Sequence, residues 1–506
     1  MPESHGVDRR DFLKAGAAGA AAVAFTAASY QRVYGANERI GVGFVGVGGR
    51  CQAHLDVINH RVKDKGDVRA VAVCDVWDGL KATYKGADGK ERTYLQGLYP
   101  SAEKVGLDPH DKKHVVKEYE RVLEMPEVDV VCIATPDHWH AKITIDALNA
   151  GKHVYCEKPM TKTIEEAQKV VDAAKKSGKV MSVGVQSMAE PRWRDAHQFI
   201  TTGAIGHVAQ AQTQYYRNSN VGQWRYYRLW KEMNPKTVDW VRWLGHNFKI
   251  DGIGEPLGPT EKQQPFDREV YAQWRCYWPY GGGMFTDLFV HQTTHMISAM
   301  GVRYPARVVG GGGLYLEYDD RDVPDVSAIV ADYNEGCQLV VMATMINDYP
   351  IDEVIRGHLA TVRFSRREGK MGYEVLPQNI GTGPGRPSAG VDAKGELQSV
   401  IPDKDTTPEL WDNFLGCVRA NNRETWSTPE LGAAAFTTVA MGVKSYREGK
   451  ALYWDAGMRQ VREADASWAK RWEERSKKRE KPKQVMGWNA DDKGSTLHPE
   501  DYQALA

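Results

Sequence analysis

Ile40-Gly41-Val42-Gly43-Phe44-Val45-Gly46-Val47-Gly48-Gly49-Arg50 is the stretch on which the reading of this chain turns. A β-rich run, Arg39–Val45, ends on glycine, and a helical stretch follows from about Cys51 to Arg61. Such a turn needs glycine where φ is unusual and where backbone must approach an anion, because the first N–H groups of a helix lack partners of their own. Gly46, Gly48 and Gly49 are therefore candidate binders of a dinucleotide pyrophosphate. The fingerprint is imperfect, since Cys51 stands where a third glycine or alanine would let helix and strand pack closely.

Working outward, Val68–Cys74 is a second apolar run, and Asp75 closes it. A carboxylate there can accept hydrogen bonds from a ribose 2′-hydroxyl and repels a 2′-phosphate, which favours NAD over NADP; the neighbouring Arg50 would soften that preference. Residues 79–115 are polar and read as helix plus exposed loop. Val128–Ala134, His153–Cys156 and Val180–Val185 read as further strands, spaced by helices at Ala141–Asn149 and about Ile164–Lys176. Strands separated by helices of this length imply an α/β, doubly wound parallel sheet. After Gln186 the character changes. Ala306–Tyr318, Ser327–Tyr333 and Gln338–Ala343 alternate like strands of a mostly antiparallel sheet in an α+β second domain, helices return at 409–419 and 429–447, and 372–408 looks loop-rich. The expected organisation is a leader over 1–36, a nucleotide-binding domain over 37–186, a second domain over 187–460 and a charged tail over 461–506, solvated as helix or arm.

The 506 residues carry 66 Lys plus Arg against 66 Asp plus Glu, so no net field recruits nucleic acid or an anionic membrane. No apolar run beyond the N-terminus is long enough for a membrane span. Seven cysteines stand singly, at Cys51, Cys74, Cys132, Cys156, Cys276, Cys337 and Cys417, and read as buried free thiols rather than a disulfide or zinc framework. The leader itself reads Asp8-Arg9-Arg10-Asp11-Phe12-Leu13-Lys14, then Ala/Gly-rich to Tyr30. It resembles a twin-arginine export signal, with Asp8 where Ser or Thr is common. It implies a periplasmic or otherwise exported protein handed to the Tat machinery.

Ala134-Thr135-Pro136-Asp137-His138-Trp139-His140-Ala141, Gly151-Lys152-His153-Val154-Tyr155-Cys156-Glu157-Lys158-Pro159 and Val183-Gly184-Val185-Gln186 follow successive strands or helices. Together they resemble the glucose–fructose oxidoreductase/inositol dehydrogenase/rhizopine-catabolism (Gfo/Idh/MocA) family over about residues 38–455. The resemblance implies a Rossmann domain binding NAD, with NADP as the alternative. It adds Thr135, Pro136, His138, His140, Glu157, Lys158, Gln186 and Arg275 to the cofactor-binding set. It also implies that Lys158 reaches the nicotinamide or a substrate hydroxyl, where an amine could relay a proton.

Past the glycines at 281–283, a helix would place Asp287 and His291 four apart on one face, a pair that suits hydroxyl oxidation and equally suits a helix cap. The resemblance assigns Asp287 and His291, with Lys158, to catalysis. Thr294 and His295 follow where a further acidic residue is common; Asp287, His291 and His295 could share a metal, but lack a remote third anchor, and no metal is assigned. Tyr215, Tyr216, Trp224, Tyr226, Tyr227, Trp240 and Trp243 fit sugar stacking or an aromatic core. The reading that follows is an oxidoreductase acting on a carbohydrate or polyol hydroxyl. An exported enzyme has no external NAD pool, so its cofactor is expected to be held tightly and returned to its starting state. A glycosidase working through transient sugar oxidation is the alternative, and a sensor that keeps its nucleotide is a third possibility. By resemblance, the antiparallel sheet is expected to support a homo-oligomer.

Overall fold

The computed structural model of the protein describes residues 39–86, 89–378 and 395–477; the leader and the end of the tail lie outside the described residues. Six parallel strands form the first sheet, in the order Val115–Val116, Val68–Cys74, Ile40–Val45, Val130–Ile133, His153–Glu157, Met181–Gly184. Read by chain position this order is 3-2-1-4-5-6, the doubly wound arrangement whose strand order reverses beside the first strand. All four residues of Val130–Ile133 are buried, as are all six of Ile40–Val45, which is why these strands read as unbroken apolar runs.

Eleven strands build the second sheet, from Gln398–Pro402 at one edge to Gln460–Glu463 at the other. Its pairs are antiparallel apart from Val208–Asn218 with Gln338–Thr344, which run parallel. Two helices connect this sheet to the first. Pro429–Glu448 starts on a Thr428 side chain that accepts from Leu431 N, carries proline at its first position and stops at Gly449 in the left-handed region. Its small residues allow close contact: a Cβ on Gly442 would come within 2.5 Å of Ile329, and one on Gly310 of the facing strand within 2.1 Å of the Gly442 carbonyl. Thr407–Ala420 returns to the first sheet, where Trp411 stacks on Tyr155 at 4.4 Å and 5°.

Three expectations change. The polar insertion at 79–115 contains a β-hairpin, Leu80–Lys85 with Glu91–Gln96, before its helix at Leu98–Lys104. Half-buried and exposed residues alternate along Leu80–Lys85, as a ribbon with one covered face requires, and in Glu91–Gln96 the second three residues are the half-buried ones. The excursion at 372–408 is bounded by two strands, Lys370–Pro377 and Gln398–Pro402, with 379–394 outside the described residues. Finally, Phe285–Phe289 is one turn of π-helix leading into the α-helix Val290–Met300, not uniform α-helix. All seven cysteines are buried thiols.

Candidate active site

A cavity of about 600 Å³ opens at the carboxyl ends of the parallel strands, where the strand order reverses. Its two ends are chemically different. At one end, Gly46 has φ +81, and a Cβ there would sit 2.6 Å from the Thr135 backbone N. A Cβ on Gly48 would meet nothing within 4 Å, so backbone faces open space. The helix Gly49–Asp64 begins with Gly48 as its N-cap, has no side-chain cap and no acidic residue in its first turn. Its N–H groups and dipole are therefore left for an anion. Thr135 Oγ1 and Gln186 Oε1, both lining the cavity, are buried without a hydrogen-bond partner among the described residues. Buried polar atoms are rarely left so, and these fit a bound polar ligand. Asp75 accepts from Val47 N at 2.8 Å and Trp77 N at 2.9 Å, with lone pairs to spare; burial lifts its carboxyl to about 6 despite those bonds. These features fit a dinucleotide with its pyrophosphate on the helix and its ribose beside Asp75.

Other members of the expected cofactor set have duties within the protein. Arg50 lines the cavity but donates through Nε to Glu157 at 2.8 Å and through Nη2 to Thr407 Oγ1 at 3.2 Å. Glu157 is a buried anchor. His54 Nδ1 accepts from the Trp411 indole N–H at 3.0 Å, so His54 Nε2 carries the proton and donates to Glu157 at 3.0 Å. Burial opposes ionisation of Glu157, yet Arg50 and His54 outweigh it and hold the carboxyl well below its usual range. His140 lines the cavity with its ring between the Pro159 and Thr135 carbonyls, at 2.6 and 2.8 Å. His138 departs from expectation. Its Nε2 bonds to the Trp243 carbonyl at 2.9 Å, the ring is buried among Trp243 and Tyr280, and it does not line the cavity. One residue along a helix is a rotation of about 100°, so neighbours cannot all face the ligand.

The other end gathers Lys158, Asp287, His291 and Arg275. Lys158 Nζ donates to Asp287 Oδ1 at 2.7 Å and to the Asp287 carbonyl at 2.9 Å; Arg275 Nε reaches the same Oδ1 at 3.0 Å, and Trp224 Nε1 reaches Oδ2 at 3.2 Å. Arg275 thus serves Asp287 and stacks on Trp274 at 4.2 Å. Burial works against the Asp287 charge, but Lys158 and Arg275 keep its carboxyl well below the usual range. Trp224 holds φ +67, a conformation costly for a bulky residue, while its indole is buried against Asp287.

His291 is not bonded to Asp287, contrary to the pairing that four-residue spacing suggested. The Asp287 oxygens are engaged by Lys158, Arg275 and Trp224, and among the described residues neither ring nitrogen of His291 has a hydrogen-bond partner. Burial first, then the Lys158 charge, push its pKa well below the ordinary 6.5, so the ring is neutral and keeps one free acceptor nitrogen at the cavity wall. His295 lies elsewhere: it stacks on Trp193 at 3.9 Å and its Nε2 faces Glu353 at 3.8 Å, so it does not join Asp287 and His291. The aromatic group divides. Tyr215, Tyr226 and Tyr227 line the cavity, whereas Trp240 and Trp243 stack on each other at 4.6 Å with Trp240 in the core behind it.

Asp137 is a member that sequence reasoning passed over, although it sits inside the quoted Thr-Pro-Asp-His motif. It is 3% exposed, lines the cavity and accepts from Thr286 Oγ1 at 3.1 Å. Burial, with Asp287 adding to it, raises its carboxyl from 3.8 to about 7. Between those values the unfolded chain is ionised and the folded one protonated, so stability falls as pH rises through the window, with the full cost present above it. Asp137→Asn is expected to raise stability above pH 7 by on the order of 4 kcal/mol. The gain should vanish towards pH 4, which urea titrations at the two extremes would read; a pH-independent difference would contradict it.

Residues 40–185 match the oxidoreductase family, NAD-binding Rossmann fold, of the Gfo/Idh/MocA group. The stretch is a Gfo/Idh/MocA-type NAD-binding domain. Residues 6–26, outside the described residues, match the twin-arginine translocation pathway signal, so the chain carries a Tat export signal. A levoglucosan dehydrogenase of Pseudarthrobacter phenanthrenivorans is 40% identical over 91 residues, 18% of this chain and 23% of that protein. An alpha-N-acetylgalactosaminidase of Shewanella oneidensis is 26% identical over 275 residues, 49% of this chain and 54% of that protein. The matched stretches span about half or less of the curated relatives' length. The aldose-aldose oxidoreductase from Caulobacter crescentus complexed with glycerol shares the fold at a TM-score of 0.55 and 18% identity, over 82% of this chain and 99% of that one. The Gfo/Idh/MocA NAD-binding domain therefore accounts for the glycine-rich end of the cavity, and the eleven-stranded sheet with its helices supplies the other end. Among the described residues no helix is long and apolar enough to cross a membrane.

Proposed function

We propose that the protein is an NAD-dependent oxidoreductase acting on a hydroxyl of a sugar or polyol, with the cofactor held as a resident group. The observation that carries this reading is the neutral, unpartnered His291 ring on the same cavity wall as the Lys158–Asp287 ion pair. Bound NAD would supply the hydride acceptor. The free nitrogen of His291 takes the hydroxyl proton, as a general base must, while the Lys158 ammonium, oriented by Asp287, donates to the same oxygen. A base of such low basicity returns its proton readily, which suits a reaction run in both directions. Asp137 and Arg275 frame the pair, and Tyr215, Tyr226 and Tyr227 offer ring faces to a sugar.

Tight retention finds support in a clasp across the nucleotide end. Segment 228–240 of the second half lies against the insertion hairpin and the turn that precedes it. Asp78 N donates to Thr237 O at 3.0 Å, Asp239 N to Val76 O at 2.8 Å, and Trp77 Nε1 to Glu232 O at 3.1 Å. Trp230 packs on Tyr94 at 5.0 Å and Tyr84 at 5.9 Å, and Arg228 covers Tyr84 at 4.1 Å. Trp77, Tyr94 and Met233 all line the cavity, so the clasp walls its nucleotide end, which supports a held cofactor. Trp230→Ala is expected to speed nucleotide release at least about tenfold, measured as loss of protein-bound nucleotide during dialysis; an unchanged rate would remove the clasp from the argument.

The glycosidase relative keeps a second reading open, in which the sugar is oxidised only transiently. One experiment separates the two. Protein isolated from cells, with no nucleotide added, is denatured to identify any released nucleotide, and intact protein is incubated with simple sugars and with aryl glycosides. Bound NAD(H) with net oxidised or exchanged sugar supports the oxidoreductase. Release of aglycone without net sugar oxidation would favour the second reading, and protein free of nucleotide would count against a resident cofactor.

A further inference from the structure

The substrate end of the cavity holds more positive charge than it balances. Lys158 and Arg275 share one ion-paired carboxylate, Asp287; Asp137, on the same cavity, has its carboxyl lifted to about 7; and a third cation, Arg217, also lines this wall. Arg217 sits near the end of the central strand Val208–Asn218, in register with Asn347. Its Nη2 donates to Tyr215 OH at 2.8 Å and its guanidinium lies 4.7 Å from the centre of that ring. No carboxylate lies within ion-pair distance of it among the described residues; Asp348, on the adjoining cavity, is exposed and forms no bond with it. The same Tyr215 ring is 6.2 Å from the ring of His291. The guanidinium therefore stands one aromatic ring away from the proposed base, with most of its donor fork free.

A planar fork of N–H donors matches a carboxylate or a phosphate oxygen pair, and anchoring on a central strand keeps it in place. An oxidised nicotinamide would add one more positive charge at this end. A neutral sugar would leave that excess uncompensated, whereas an anionic one would be drawn in and oriented. Resting on the oxidoreductase reading above, we propose that the site takes an anionic sugar, whose carboxylate or phosphate is held by Arg217 while a ring hydroxyl faces His291. Arg217 then determines specificity and positions the substrate; it takes no part in the chemistry.

The test is equilibrium binding to the nucleotide-loaded protein, by calorimetry, of glucose, glucuronate and glucose 6-phosphate, alongside turnover of each. At least one anion is expected to bind about tenfold or more tightly than glucose, and the two anionic arms decide between carboxylate and phosphate. Arg217→Gln should weaken the preferred anion roughly ten- to hundredfold, the size of a charged hydrogen-bonded contact, with Arg217→Lys recovering part; nucleotide content reports that both variants are folded. Anions binding no better than glucose, or an Arg217→Gln protein with the same preference, would overturn the proposal. Arg217-dependent anion binding without any sugar redox chemistry would instead sink the oxidoreductase reading and leave this assignment standing. Turnover of glucose alone would do the reverse, and no binding in any arm would overturn both.

Discussion

Lys158→Met is expected to lower sugar oxidation by about a thousandfold, within the range that a positioned proton donor contributes, while bound nucleotide is retained. The reason is geometric. Lys158 Nζ is held by both Asp287 Oδ1 and the Asp287 carbonyl, so the ammonium is fixed at the cavity wall beside His291 and cannot be replaced by solvent in the same place. Methionine keeps an unbranched side chain only one atom shorter and removes the charge and the donors. Asp287 keeps Arg275 and Trp224 as partners, so the surrounding structure has no unpaired charge to dispose of. Turnover and nucleotide content measured on the same preparation decide the matter. Unchanged turnover of every tested sugar would remove Lys158 from the catalytic assignment.

Asp287→Ala should behave differently, with destabilisation as its leading effect. The change leaves Lys158 and Arg275 facing each other in a buried site and deprives the Trp224 indole of its acceptor. Removing one member of a buried, hydrogen-bonded charge cluster costs on the order of 3–5 kcal/mol, because the remaining charges keep their desolvation without the attraction. Combining it with Lys158→Met removes one of the two stranded cations, so the double variant should be more stable than Asp287→Ala alone, a coupling that a double-mutant cycle reads directly. Denaturant titrations of the parent, the two single variants and the double variant supply the four values. An Asp287→Ala protein as stable as its parent would show that the cluster is solvated and refute the argument.

These two expectations differ because Asp287 is the one anion that two cations share, whereas Lys158 is only one of those two cations. The parallel sheet was legible because its signal is local: Val68–Cys74 is a strand with the bounds that its apolar run suggested, and the helix expected over about Ile164–Lys176 is Ile164–Ser177. The hairpin at Leu80–Gln96 was not legible, since its exposed face is polar and its inward face meets Trp230, far away in sequence. The glycine turn and Asp75 could be read as a nucleotide site from spacing alone. That His138 points into protein while His140 reaches the cavity could not, because which side of a helix faces a ligand depends on what packs behind it. Asp137 carried a visible signal, an acid at the start of the helix after a strand, but only burial reveals its raised carboxyl.

Local chemistry, then, was enough for the doubly wound NAD-binding domain and the export signal, since turns, strands and helix starts are written in neighbouring residues. Tertiary structure decided how those residues are coupled. Lys158 and Asp287 are 129 residues apart in the chain, and their ion pair forms only when the second half of the molecule docks on the carboxyl edge of the first sheet. Within the second half itself the fold brings Arg275 onto Asp287 and sets Arg217 one tyrosine ring away from His291, whose ring burial and the Lys158 charge keep neutral. Charge, burial and hydrogen bonding are properties of that assembled surface, and no spacing along the chain encodes them.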